Sequence, residues 1–138
     1  MISQINSDKP SDELIRELID LNIEVGMVEF TDKEDILQLP SSYKKIGNFE
    51  LDILAIDSDK GGVVMLDHDQ PNFVMGKVSI SITQFVEALK PIEKLFEASM
   101  EDDDLYDDET AMRKVTSESS SIAGGEDYLW FYDMIFGI

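Results

Sequence analysis

The stretch FELDILAIDSDKGGVVMLDHDQPNFVMGKVSIS (49–81) decides the fold. Phe49, Leu51 and Ile53 alternate with polar neighbours, and the run then turns apolar on both sides as far as Ile56. That is the pattern of a strand covered first on one face and then on both. Asp57 to Gly62 (DSDKGG) reads as a hairpin loop whose glycines supply positive φ. GVVMLD (62–67) is a second strand and GKVSIS (76–81) a third, joined through the turn-prone HDQPN. Three strands separated by short turns predict an antiparallel meander.

Outward from this centre the periodicity changes. Ser81 and Gln84 form a capping-box pair, and Ile82, Phe85, Val86, Leu89, Ile92 and Phe96 make one apolar stripe, so a helix is expected over 81–98. Pro91 sits inside it and predicts a kink or a break. Residues 99–122 alternate acidic and serine-rich runs and are expected to be loop. EDYLWFYDMIFG (126–137) then places Leu129, Trp130, Tyr132 and Phe136 on one helical face. Upstream, Leu14, Ile15, Leu18 and Ile19 mark a helix from Ser11, a plausible N-cap, and MVEF (27–30) a short strand. Thr31 to Leu39 is expected to be a short helix capped by Thr31 with Glu34, its residues Ile36, Leu37 and Leu39 facing inward and Pro40 ending it. Gly47-Asn48 reads as a turn.

The expected fold class is α+β, an antiparallel sheet of several strands flanked by helices, in a single domain with an acidic C-terminal extension. Residues 1–98 form the α+β domain, 99–122 an acidic and serine-rich loop, and 123–138 a C-terminal helix packed on the same domain. A chain of 138 residues suits one domain with a proper core.

Charge then narrows the function. The formal net charge is −19, and Glu101 to Glu109 (EDDDLYDDE) holds seven carboxylates and no base. Like charges in such number repel one another and oppose compaction, a cost offset where the surface meets a cationic partner. An anionic surface is also repelled by nucleic-acid phosphate and by anionic headgroups, so direct binding to nucleic acid or membrane is disfavoured. Without cysteine the chain has no disulfides, thiolate nucleophiles or zinc–thiolate sites. The opening residues show no basic n-region before an apolar stretch, and the expected location is cytoplasmic.

Catalytic and metal motifs do not emerge. His68 is the one histidine, lies between Asp67 and Asp69, and reads as a turn residue. Counted from Asp57, an EF-hand loop would need a bidentate Glu at the twelfth position, where His68 stands, so no metal site is assigned. Neither GxxxxGK[ST] nor GxGxxG occurs, and no serine sits in a GxSxG elbow. The reading is a binding protein rather than an enzyme, with no cofactor.

The middle of the chain resembles the SUKH superfamily, which includes bacterial immunity proteins and fungal cell-wall regulators. The likeness spans 28–90: VEFTDKEDI, then ILAIDSDKGGVVMLD, then GKVSIS and TQFVEAL. Ile53 to Asp59, Gly61-Gly62, Val63 to Asp67, Ser81 and Phe85 to Leu89 match the family's strand, D-x-GG turn, apolar strand and capped helix. LPSSY (39–43) follows the presumed DI helix, whereas the family's LPxxY element comes earlier, and nothing beyond 97 has a counterpart. The resemblance implies an α+β fold and a binding role, commonly neutralising a cognate toxin, without assigning contact residues.

Charge and resemblance together give an acidic immunity or antitoxin protein that binds a cognate toxin with a basic, nuclease-type surface. The alternative is an acidic DNA mimic or regulatory module acting on a nucleic-acid-binding protein. Expected contacts are Glu101, Asp102, Asp103, Asp104, Asp107 and Asp108 with the aromatic anchor Tyr106, then the turn residues Asp57, Asp59, Asp67 and Asp69. The alternative role for the apolar C-terminal helix is a homodimer contact.

Overall fold

The computed structural model describes residues 1–35 and 37–138, and of Tyr106 the backbone alone. A six-stranded antiparallel meander runs β1 (Glu24–Val25), β2 (Val28–Phe30), β3 (Tyr43–Phe49), β4 (Asp52–Asp57), β5 (Val63–Leu66) and β6 (Val74–Ser79), neighbours in sequence being neighbours in space. The helices are α1 (Ser11–Asp20), α2 (Ile82–Glu101), α3 (Asp103–Tyr106), α4 (Glu109–Ala123) and α5 (Leu129–Phe136).

Strand alternation sends side chains to two faces. The register pairs Leu54 with Met65 and Ile53 with Leu66. Leu54 and Met65 join the main core under the helices, with Val28, Phe30, Ile46, Phe85, Leu89 and Phe131. Ile53, Ala55, Val64 and Leu66 form a smaller cluster on the other face, under Leu39 and Tyr43. Phe131 of α5 is the aromatic hub, its ring 5.5 Å from Phe49, 5.9 Å from Phe85 and 5.2 Å from Tyr132. The Tyr132 hydroxyl donates to the Val78 carbonyl at 3.0 Å, and burial pushes that phenol's pKa far up. Phe131 and Tyr132 are fully buried in their own chain, so this part of α5 serves the core, while Leu129, Trp130 and Phe136 are half-buried.

Several expectations are corrected. FELDILAI is not one strand: β3 ends at Phe49, Glu50 turns the chain with φ +52°, and β4 starts at Asp52. Gly47-Asn48 is accordingly not the turn but lies within β3, where Gly47 abuts the Glu29 carbonyl so closely that a Cβ would collide with it. Thr31 to Leu39 forms no helix among its described residues, and Ile36 lies outside them. The Thr31 hydroxyl accepts from Lys33 N–H as an ST-turn, while the Lys45 ammonium ties down both the Lys33 carbonyl (2.8 Å) and the Asp35 carboxylate (2.9 Å). Leu39 is thereby laid on the sheet, and Leu37 is exposed rather than inward.

The supposed loop 99–122 is largely helix: α2 continues to Glu101, α3 follows, and α4 spans Glu109–Ala123. Serine is a middling helix former because its hydroxyl competes for backbone groups. Here that competition is resolved by packing. Ser119 donates to the Ala88 carbonyl of α2 at 2.7 Å, and Thr116, Ser119, Ser120 and Ala123 form a buried face of small residues against α2. Nor does Pro91 break α2. Its ring costs one helical bond, of order 3 kcal/mol, but fully buried Leu89 and Ile92 hold the helix to the same core on either side. Ser81 caps α2 by accepting from Gln84 N–H at 3.1 Å, as expected.

Candidate functional site: an acidic helical tract beside a mixed cleft

Two helix starts in quick succession explain part of the acidic tract. An N-terminus leaves backbone N–H groups unpaired and favours anions. Asp102 caps α3, its Oδ1 accepting from Asp104 N–H at 3.0 Å. Asp108 caps α4, its Oδ1 accepting from Ala111 N–H at 3.1 Å. Glu109 pairs with Arg113 one turn on, at 2.7 Å. These three have structural employment.

The others do not. Among the described residues the carboxylates of Glu101, Asp103, Asp104 and Asp107 accept no hydrogen bond and meet no lysine or arginine. All four are exposed. Asp103 and Asp104 gain from the first turn of α3, whereas Glu101 stands at the C-terminal end of α2, where a negative charge is unfavourable. Tyr106 belongs to α3, and its side chain lies outside the described residues.

Beside this rim lies a cleft of about 300 Å³, lined by Leu95, Phe96 and Ser99 of α2, Leu105, Asp107, Met112 of α4, and Ile135 and Phe136 of α5. The sequence placed α2 and α5 correctly enough to supply its apolar walls, but with 99–122 read as loop it could not show that they converge with Leu105 and Met112. The rings of Phe96 and Phe136 meet at 5.1 Å, tilted by 44°. Phe96 also lies against the position a Gly26 side chain would take, so α2, which starts just after β6, ends beside the β1–β2 turn. The lining sets the Asp107 carboxylate and the Ser99 hydroxyl among carbon-rich side chains, which suits a long cationic side chain whose methylene stem packs on carbon while its head meets the carboxylate.

The two turns predicted as further contacts lie elsewhere. Asp57 Oδ1 accepts from Asp59 and Lys60 N–H at 2.9 and 3.3 Å; Asp67 Oδ1 accepts from Asp69 and Gln70 N–H at 2.8 and 3.3 Å. Both are turn-forming aspartates. Because β5 runs from one turn to the other, Asp57 and Asp59 sit at the opposite end of the sheet from Asp67 and Asp69. The eleven expected residues therefore make no single surface.

At the Asp67 end His68 has neighbours on both ring nitrogens: Nδ1 is 2.8 Å from Asp52 Oδ1, and Nε2 is 3.5 Å from Asp69 Oδ1. The hydrogen bond to Asp52 raises the imidazole pKa above 6.5, with the charges of Asp69, Asp52 and Asp67 acting in the same sense. Asp52 escaped the sequence reading. Its signal was register, since the Ile53–Leu66 pair extends by one residue to set Asp52 opposite Asp67.

Compared with protein-family models, curated proteins and solved structures, the chain matches none. Among the described residues no helix is long and apolar enough to cross a membrane.

Proposed function

We propose that the protein is an acidic immunity or antitoxin protein, which binds a cognate toxin of basic, nuclease type through the rim and cleft at the α2–α3–α4 junction. The observation that carries this reading is four exposed carboxylates without partners among the described residues, in one tract whose Asp107 lines the adjoining cleft. Unpaired rim charge costs stability by self-repulsion and gains from a complementary surface, speeding encounter by ~10–10³-fold at low salt. The resemblance of 28–90 to the SUKH superfamily supports the same role, although the helix expected over 31–39 is not formed among the described residues.

Two measurements test it together. If a secreted nuclease toxin is encoded beside its gene, co-expression should restore growth of cells making that toxin, and the on-rate for it should fall steeply from about 0.1 M to about 1 M salt, where the Debye length shrinks from about 10 Å to about 3 Å. An on-rate flat over that range, or no rescue, rejects the proposal. Capture of a chromosomal DNA-binding protein in place of a toxin would point instead to the DNA-mimic role.

A further inference from the structure

We infer that Asp52, Asp67 and His68 form a binding site for a divalent first-row transition cation, which staples the start of β4 to the β5–β6 loop. This site is independent of the rim and cleft. One ligand atom from each of the three residues lies within 4.8 Å of the other two. Oxygen-only clusters on an acidic surface gather counter-ions diffusely, but an imidazole adds a directional nitrogen donor that prefers transition metals to magnesium or calcium.

The geometry is close to what a metal needs. At metal–ligand distances of ~2.0–2.2 Å, adjacent donors of an octahedral site stand about 3 Å apart. His68 Nδ1 and Asp52 Oδ1 are 2.8 Å apart, so a cation can replace the proton they share without moving either side chain far. The proton of Nδ1 leaves to solvent as the cation enters. Asp67 completes the set with a carboxylate oxygen, its side chain anchored by Oδ1 accepting from the backbone N–H groups of Asp69 and Gln70. Asp69 supplies the outer support. Its carboxylate faces Nε2 at 3.5 Å, the arrangement in which a carboxylate accepts from the far nitrogen of a ligating histidine and fixes the tautomer that frees Nδ1. Water fills the remaining positions.

The chain's single histidine makes the test direct. In the ¹H–¹⁵N spectrum of the imidazole, one equivalent of Zn²⁺ should shift the His68 Nδ1 resonance and raise Tm, while Mg²⁺ at the same concentration should do neither. Asp67→Asn keeps the turn acceptor, so that variant should retain its far-UV circular dichroism and lose Zn²⁺ affinity at least 10-fold; His68→Asn should lose it similarly. Ring resonances that ignore Zn²⁺, or a His68→Asn variant that binds Zn²⁺ as tightly as the parent, would overturn the assignment and leave only the counter-ion atmosphere of the acidic surface.

Discussion

Replacing Glu101 by Gln and Asp103, Asp104 and Asp107 by Asn separates charge that serves a partner from charge that serves the fold. The four changes take the net charge from −19 to −15 and leave both helix caps, Asp102 and Asp108, in place. Five like-charge pairs at three- or four-residue spacing disappear: Glu97–Glu101, Glu101–Asp104, Asp103–Asp107, Asp104–Asp107 and Asp104–Asp108. At ~0.2–0.5 kcal/mol each, their relief is worth about 1–2.5 kcal/mol. Against this, Asp103 and Asp104 give up first-turn dipole attraction of ~0.3–1 kcal/mol each. The two effects nearly cancel, so the variant should unfold within about 1 kcal/mol of the parent. Asp108→Ala, by contrast, removes the α4 cap and should cost about 1 kcal/mol, a fall of about 4 °C in Tm for a chain of this size. Stopped-flow association with the basic toxin at low salt should show the fourfold variant slowed about 10-fold and Asp108→Ala slowed much less. A fourfold variant with an unchanged on-rate, or one destabilised as much as Asp108→Ala, would refute the division of labour drawn here.

Three further outcomes follow from the fold and the hairpin end. Phe131→Ala removes the fully buried aromatic hub and should cost ~3–5 kcal/mol in urea unfolding; a loss below about 1 kcal/mol would show that α5 is not part of the core. Gly76→Ala puts a methyl 2.5 Å from Trp130 Cζ2, so the indole must move and its 2.9 Å bond to the Lys77 carbonyl is lost. The chain's only tryptophan should then shift its emission to the red and stability should drop by ~1–3 kcal/mol, with an unchanged spectrum as the contrary result. His68, in metal-free protein, has a folded pKa above 6.5, so its contribution to stability is complete below about 6.5 and is lost as pH rises through the folded value. The Tm difference between the parent and His68→Asn should therefore shrink with rising pH, and an NMR titration midpoint at or below 6.5 would contradict it.

How much of this was legible in the sequence depended on whether the signal was local. Ser81 with Gln84, the Leu14–Leu18 stripe and the DSDKGG turn are local, and each sits where its spacing put it. The β3–β4 turn was missed because Glu50-Leu51 carries neither glycine nor asparagine, while Gly47-Asn48 does; glycine at 47 answers a tertiary demand, the close approach of β2. The helix over 31–39 lost to Lys45, a residue on another strand, and propensity cannot register such a clamp. The tract 99–122 was misread because its carboxylates and serines were weighed as solvated groups. In the fold, Asp102 and Asp108 are caps, and Ser119 and Ser120 are spacers at a helix–helix contact. The cleft needed four separate segments brought together, and nothing in their spacing states that convergence.

The most direct measurement is amide hydrogen exchange on the protein alone and saturated with its basic partner. New protection should be confined to the end of α2, α3, the first turn of α4 and the end of α5, around Leu105, Met112 and Phe136, with Asp57–Gly62 unaffected. Protection centred on the Asp57–Gly62 hairpin or on the edge strand β6, with 95–112 unchanged, would contradict the proposed surface.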